Sequence, residues 1–334
     1  MRSAKLCLCL TLLLMGQGSS KEPFEYRTFA GEFERVADST RSLPMAERIK
    51  VFHSTFDKLY PGLYADTDQS RLDGRIEKAL TDFPLIRSTY GQVEPKFPEA
   101  LANAMKAFRV AFPDFTPPMP IYLIHSLGTR DGGTDLVAER MVMLFGADEI
   151  AQFHWDESLQ PFIVHELFHI EHIQHFADCD QLWCPLWQEG LATYTASVLT
   201  PNASDHQLIL DVPHPIREDT DAHWGDALCW TAEHFDSSNP SVISAGFTGG
   251  PRPSTYTADR RVSPLPSRFG YYIGLRVATQ AAKTRSLSKL DRLDDQAARP
   301  VVARALAELM QASHLGCPLP ARHGRITHLA PRPA

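Results

Sequence analysis

Most of the chain repeats apolar residues every three or four positions, the spacing of one buried helical face. Between residues 21 and 115 this repeat predicts helices over 24–39, Met45–Leu59 and 98–112, broken by proline and glycine. In the last of them Leu101, Met105, Phe108 and Phe112 recur at helical spacing and read as packing residues. A proline-rich connector over 115–120 leads into a different pattern. Ile121 to His125 is a short apolar run that predicts a strand, and 128–134 predicts a turn. Residues 140–145 predict a second strand, ending in the acidic turn Gly146-Ala147-Asp148-Glu149.

Helical periodicity then returns. Ser158 can cap a helix, and Pro161 falls in its first turn, where a missing N–H costs nothing. Phe162, Ile163, Leu167, Phe168, Ile170, Ile173 and Phe176 give that helix a wide apolar surface, so it should be buried. A second helix over 185–199 carries Glu189, Ala192 and Ala196 on one side, where small side chains allow close helix packing. The stretch 236–267 is rich in Ser, Gly and Pro and predicts a surface excursion, long enough to lie over a cleft. Helical pattern resumes over 269–282, beginning Gly270-Tyr271-Tyr272-Ile273-Gly274, and again over 287–312, with a frayed tail from Gly316. The elements predict an α+β fold, mainly helical, with a small β-sheet flanking the helix that starts near Pro161. An N-terminal helical region would cover 21–115 and a second region 116–334.

Composition narrows the function. Of 334 residues 43% are apolar and 10% aromatic, enough for a packed core. The net charge is −7 and no Lys/Arg run tracks a phosphate backbone, which argues against nucleic acid as a partner. Residues 1–20 begin with Arg2 and Lys5, continue with an apolar stretch from Leu6 to Met15, and close on Gly16, Gly18, Ser19 and Ser20. That is the make-up of a secretory signal peptide, with an uncleaved anchor helix as the alternative. The apolar stretch is too short to span a bilayer, and no later segment reaches about 18 apolar residues. The expectation is a protein exported to the periplasm or the medium, with no stable membrane insertion after cleavage. Beyond the leader remain Cys179, Cys184, Cys229 and Cys317. In an oxidising compartment an even number invites disulfides, and Cys179 with Cys184 would close the loop between the helices at 161 and 185.

The buried helix contains His165-Glu166-Leu167-Phe168-His169. Four residues advance a helix by about 400°, so both histidines point to one side, about 6 Å apart along the axis. Two such imidazoles can grip one metal ion, with Glu166 beside them to take a proton. A catalytic zinc has three protein ligands and one open position, and a carboxylate from a second helix is a common third ligand. Glu189 fits that need. The plain alternative is a pair of histidines satisfied in a core.

The pairing of HELFH at 165–169 with LWQEGLATY at 186–194 resembles the gluzincin metallopeptidases. The second motif is similar to that of the aminopeptidase N type, and the same tail resembles bacterial families described as predicted zinc-dependent proteases. The specific similarity covers 140–199, with 270–276 a weaker echo. It implies one Zn2+ held by His165, His169 and Glu189, Glu166 as general base, and hydrolysis of a peptide or protein substrate by metal-activated water. It also makes Tyr271 or Tyr272 a candidate oxyanion donor.

The chain departs from those families in three places. The gap between His169 and Glu189 is one residue longer than in the aminopeptidases, a shift a loop can absorb. Gly146-Ala147-Asp148-Glu149-Ile150 imitates their amine-binding motif but lies too close to the histidines, so Glu149 is expected in an acidic turn. Thr193 stands where thermolysin relatives place an Asp that holds a histidine. His175 matches the third ligand of the metzincins, yet His172 occupies the position where that family needs Gly. A continued helix would swing His175 about 120° from His169, so Glu189 is preferred. Two other functions remain open: a non-catalytic, zinc-stabilised binding protein of the cell envelope, and a metal hydrolase acting on a non-peptide substrate. Glu166 weighs against the first, because ligation alone needs no acid there.

Overall fold

The computed structural model describes residues 24–154, 158–177, 179–211, 214–248 and 265–318. The expected leader, residues 249–264 of the Ser/Gly/Pro-rich stretch and the tail beyond 318 lie outside the described residues.

The described residues open with β1 (Tyr26–Thr28), which takes the front of the helix expected over 24–39 and leaves α1 (Ala30–Ser39) for the rest. Tyr26 pairs with Ile121 in the sheet and its ring stacks on Phe97, so that end of the segment is drawn out as a strand. After α2 (Met45–Leu59) comes α3 (Gln69–Ala111), a helix of 43 residues that runs through Pro84, Pro95 and Pro98 where breaks were expected. Proline removes the N–H that would bond the carbonyl four residues back. For Pro84 that carbonyl is Leu80, and the guanidinium of Arg48 on α2 donates to it at 3.4 Å. Burial of Leu72, Ile76, Phe83, Tyr90, Phe97, Met105 and Phe108 along one face holds the rest of the helix down.

Three more strands complete the sheet: β2 (Ile121–Ile124), β3 (Gly132–Val137) and β4 (Arg140–Gly146), in the order β1-β2-β4-β3. The first three are parallel, and β3 is an antiparallel edge strand paired with β4. Part of β3 was expected as a turn. The turn is instead Ala138-Glu139, both with left-handed φ of 50° and 63°. That geometry joins twisted strands well but usually recruits Asn or Gly, so the hairpin carries no familiar signal. Asp148 and Glu149 fall in the first turn of α4 (Ala147–Phe153), where acids favour a helix start.

The remaining helices are α5 (Gln160–His172), α6 (Trp183–Leu199), α7 (Asp205–Ile209), α8 (Ile216–Ala222), α9 (Trp224–Glu233), α10 (Pro240–Phe247), α11 (Phe269–Ala282), α12 (Leu287–Asp291) and α13 (Asp295–Ala312). The helix expected over 287–312 is therefore two. The architecture is α+β and mainly helical, with the small mixed sheet flanking α5 through Phe145 on Phe162 and Gly132 beside Glu166. One core runs from Phe33 and Phe97 through the sheet to α5, α6 and α13. Disulfides join Cys179 to Cys184 and Cys229 to Cys317, with Cα separations of 5.9 and 5.5 Å. Among the described residues no helix is long and apolar enough to cross a membrane.

Candidate metal centre

α5 is buried on nearly all sides, and the strip carrying His165, Glu166 and His169 faces a cleft of about 510 Å³. His165 and His169 lie on that strip one helical turn apart. α6 crosses against α11 at Gly190 and Gly274, and a Cβ on Gly190 would collide with the Gly274 backbone. This close approach sets the position of the neighbouring Glu189. His165 Nε2 lies 3.0 Å from His169 Nε2, and Glu189 Oε2 lies 3.2 and 3.5 Å from the two nitrogens. Three donors bound at about 2.0–2.2 Å in tetrahedral directions are about 3.4 Å apart, so a triangle with these sides fits a single divalent cation.

Charge supports the same grouping. Burial opposes ionisation of Glu189, yet the two imidazoles beside it hold its carboxyl well below the usual range. Burial also opposes protonation of His169, but Glu189 and Glu166 hold its pKa up at about 9. His165 is lowered, chiefly by burial. Its Nδ1 lies 3.4 Å from Thr193 Oγ1, whose hydroxyl donates to the Glu189 carbonyl at 2.8 Å. Nδ1 therefore faces a hydroxyl oxygen free to accept its proton, leaving the Nε2 lone pair toward the cleft. Thr193 thus stands at one of the two histidines, by a long contact.

Glu166 is not one of the three converging donors. Its side chain lies against Gly132 on β3, where a Cβ would come within 2.5 Å of the carboxyl carbon. Burial, with Asp131 and Glu189 nearby, pushes its pKa up to about 8 against the pull of His169. The loop that delivers Gly132 is built on Asp148, which accepts from the Ser126 and Gly128 amides at 2.6 and 2.8 Å. The residue before Gly132, Asp131, lies 3.2 Å from His154 Nε2 through Oδ2. Burial works against its charge, but His154 and the Arg268 guanidinium keep Asp131 below its ordinary pKa.

Of the two tyrosines considered as oxyanion donors, only Tyr271 lines the cleft, with Arg268 4.8 Å over its ring. Burial, followed by Glu189, raises its pKa, so the phenol keeps its proton. Tyr272 is buried elsewhere, donating to Asp221 at 3.0 Å and accepting from Arg276 at 2.8 Å. Glu149 sits at the edge of the cleft. His175 is away from the His165–His169 pair, because α5 stops at His172 and the next turn carries it toward Asp291. The pattern of the chain gave no sign of Gly132, Asp131 or Arg268, which arrive through hairpin register and loop geometry.

Compared with protein-family models, with curated proteins and with solved structures, the chain matches none.

Proposed function

We propose that the chain is a zinc-dependent peptidase in which His165, His169 and Glu189 hold one Zn2+ and Glu166 is the general base. Two imidazoles and a carboxylate suit zinc. The observation that carries the reading is Glu166: a buried acid, outside the three converging donors, opening on the same cleft. A purely structural ion needs no such group. Zn2+ bound there would supply Lewis acidity to a water and to a carbonyl oxygen, and a cation beside Glu166 would favour its ionised form.

The carboxylate of Glu166 takes a proton from water in the cleft and returns it to the leaving amine nitrogen. Tyr271, held protonated by burial, donates a hydrogen bond to the oxygen on which charge develops. A peptide is favoured over other substrates by β3. This edge strand borders the cleft at Gly132 and Gly133 and pairs with β4 alone among the described residues. Its free edge can take an extended peptide as a further strand. The two disulfides support export to an oxidising compartment.

The test is Glu166→Gln. Zinc content should stay at the wild-type level, while cleavage of a peptide library falls by at least about 100-fold. Unchanged cleavage in that variant refutes the assignment.

A further inference from the structure

A second group of metal-type donors lies at the C-terminal end of α5, away from the cleft. We infer that Glu171, His175 and Asp291 form a second divalent-cation site, one that fastens the end of α5 to α12. Their donor atoms all lie within 4.8 Å of one another.

The distances favour an ion over direct bonding. His175 Nε2 is 3.6 Å from Glu171 Oε1 and 3.9 Å from Asp291 Oδ2. Both exceed the roughly 2.7–3.2 Å of a nitrogen–oxygen hydrogen bond. They are close to the edges of a coordination shell with bonds of about 2.0–2.2 Å. Asp291 is 1% exposed, and its Oδ2 has no hydrogen-bond partner. A buried carboxylate oxygen without a partner is costly, and here it points at two other donors.

The outer contacts are arranged in the same sense. Each carboxylate has one oxygen held by a neighbour and the other turned to the common point. Gln174 Nε2 donates to Glu171 Oε2 at 3.3 Å, leaving Oε1 toward His175. His172 Nδ1 meets Asp291 Oδ1 at 3.3 Å and the Asp291 carbonyl at 3.1 Å, leaving Oδ2 inward. The His172 ring is fixed between Phe168 and Phe176, with centroids 5.1 and 4.9 Å away. Outer contacts of this kind orient metal ligands. One imidazole and two carboxylates suit Zn2+ or Mn2+, and a cation offsets two acids that otherwise face each other out of water. Its role is structural: it ties the last turn before the Cys179–Cys184 bridge to α12.

The experiment is a Zn2+ titration of the chelator-stripped full chain by calorimetry, with metal counted after desalting. Wild type should bind two ions and His165→Ala/His169→Ala one. In that double variant Zn2+ should still raise Tm by several degrees. Adding His175→Ala, or the size-conserving Asp291→Asn, should weaken the remaining ion at least tenfold and abolish the Tm shift. A single ion in wild type that disappears with His165→Ala/His169→Ala overturns the proposal, as does an ion in the double variant indifferent to both added substitutions. A single ion lost only with His175→Ala or Asp291→Asn supports this site and sinks the reading of the cleft instead.

Discussion

Gly132 has no room for a side chain, because the carboxyl of Glu166 occupies the space a Cβ would fill. Gly132→Ala should push that carboxyl aside and leave the three converging donors in place. A displacement near 1 Å at a reacting group can cost about 100-fold in rate. Peptide turnover should therefore drop by about 10- to 100-fold with zinc content unchanged; parallel metal and rate assays check this, and equal rates count against Glu166 as the base. A second residue controls stability against pH. His125 is buried, its ring stacked on Phe33 at 3.5 Å, and its Nδ1 accepts from the Leu127 amide at 3.1 Å. Burial lowers its pKa, although Asp148 3.5 Å away pulls the other way. The unfolded chain then takes up the proton first. Stability is whole above the ordinary histidine pKa of about 6.5 and falls below it, by at most about 1.4 kcal/mol per pH unit. His125→Asn, whose Oδ1 replaces Nδ1 as acceptor, should be less stable at neutral pH but lack this slope. Urea unfolding between about pH 7 and 5 should show the gap to wild type narrowing, and a constant gap would mean that His125 does not titrate there.

Elements were legible where one local pattern decides them. α2, α5, α6 and α11 each bury a face at regular spacing, and β2 and β4 are unbroken apolar runs. His165, Glu166 and His169 were legible for the same reason, since helix geometry alone sets their proximity. Glu189 was found through a motif and a resemblance. β1 was missed because three residues carry no period, and β3 because Gly132-Gly133 reads as a turn while the true turn is Ala138-Glu139. Only the 98–112 end of α3 was expected as a helix, because Pro84, Pro95 and Pro98 signal breaks, and at Pro84 the Arg48 contact that satisfies Leu80 comes from another helix. The α6–α11 crossing was equally hidden: Gly190 and Gly274 are unremarkable until the two backbones meet. A methyl at Gly190 must force those backbones apart, and overpacking of this kind costs about 1–3 kcal/mol. Gly190→Ala should also carry Glu189 away from the histidines. A fall in both Tm and zinc affinity is expected, and a variant with wild-type affinity would show that the crossing does not set the ligand.

At the scale of the molecule, two disulfides of very different reach act on the C-terminal half. Cys229–Cys317 closes 88 residues, a loop that contains α10, α11, α12 and α13, and with them Tyr271 and Asp291. Cys179–Cys184 closes only five, between α5 and α6. If each acts by restricting the unfolded chain, the long loop is worth about 4–5 kcal/mol and the short one about 2. The proposed ligands His165, His169 and Glu189 lie outside the long loop, whereas Tyr271 lies inside it. Cys229→Ser/Cys317→Ser should therefore cost the larger share of stability while zinc stays bound, and turnover should fall as α11 loosens against the cleft. Cys179→Ser/Cys184→Ser should cost less stability but free the segment that joins the ligand helices, so that its effect falls on zinc affinity. Urea unfolding and zinc titration of both double variants give the comparison. If the short bridge proves the more stabilising of the two, native-state contacts and not loop closure govern what these cysteines contribute.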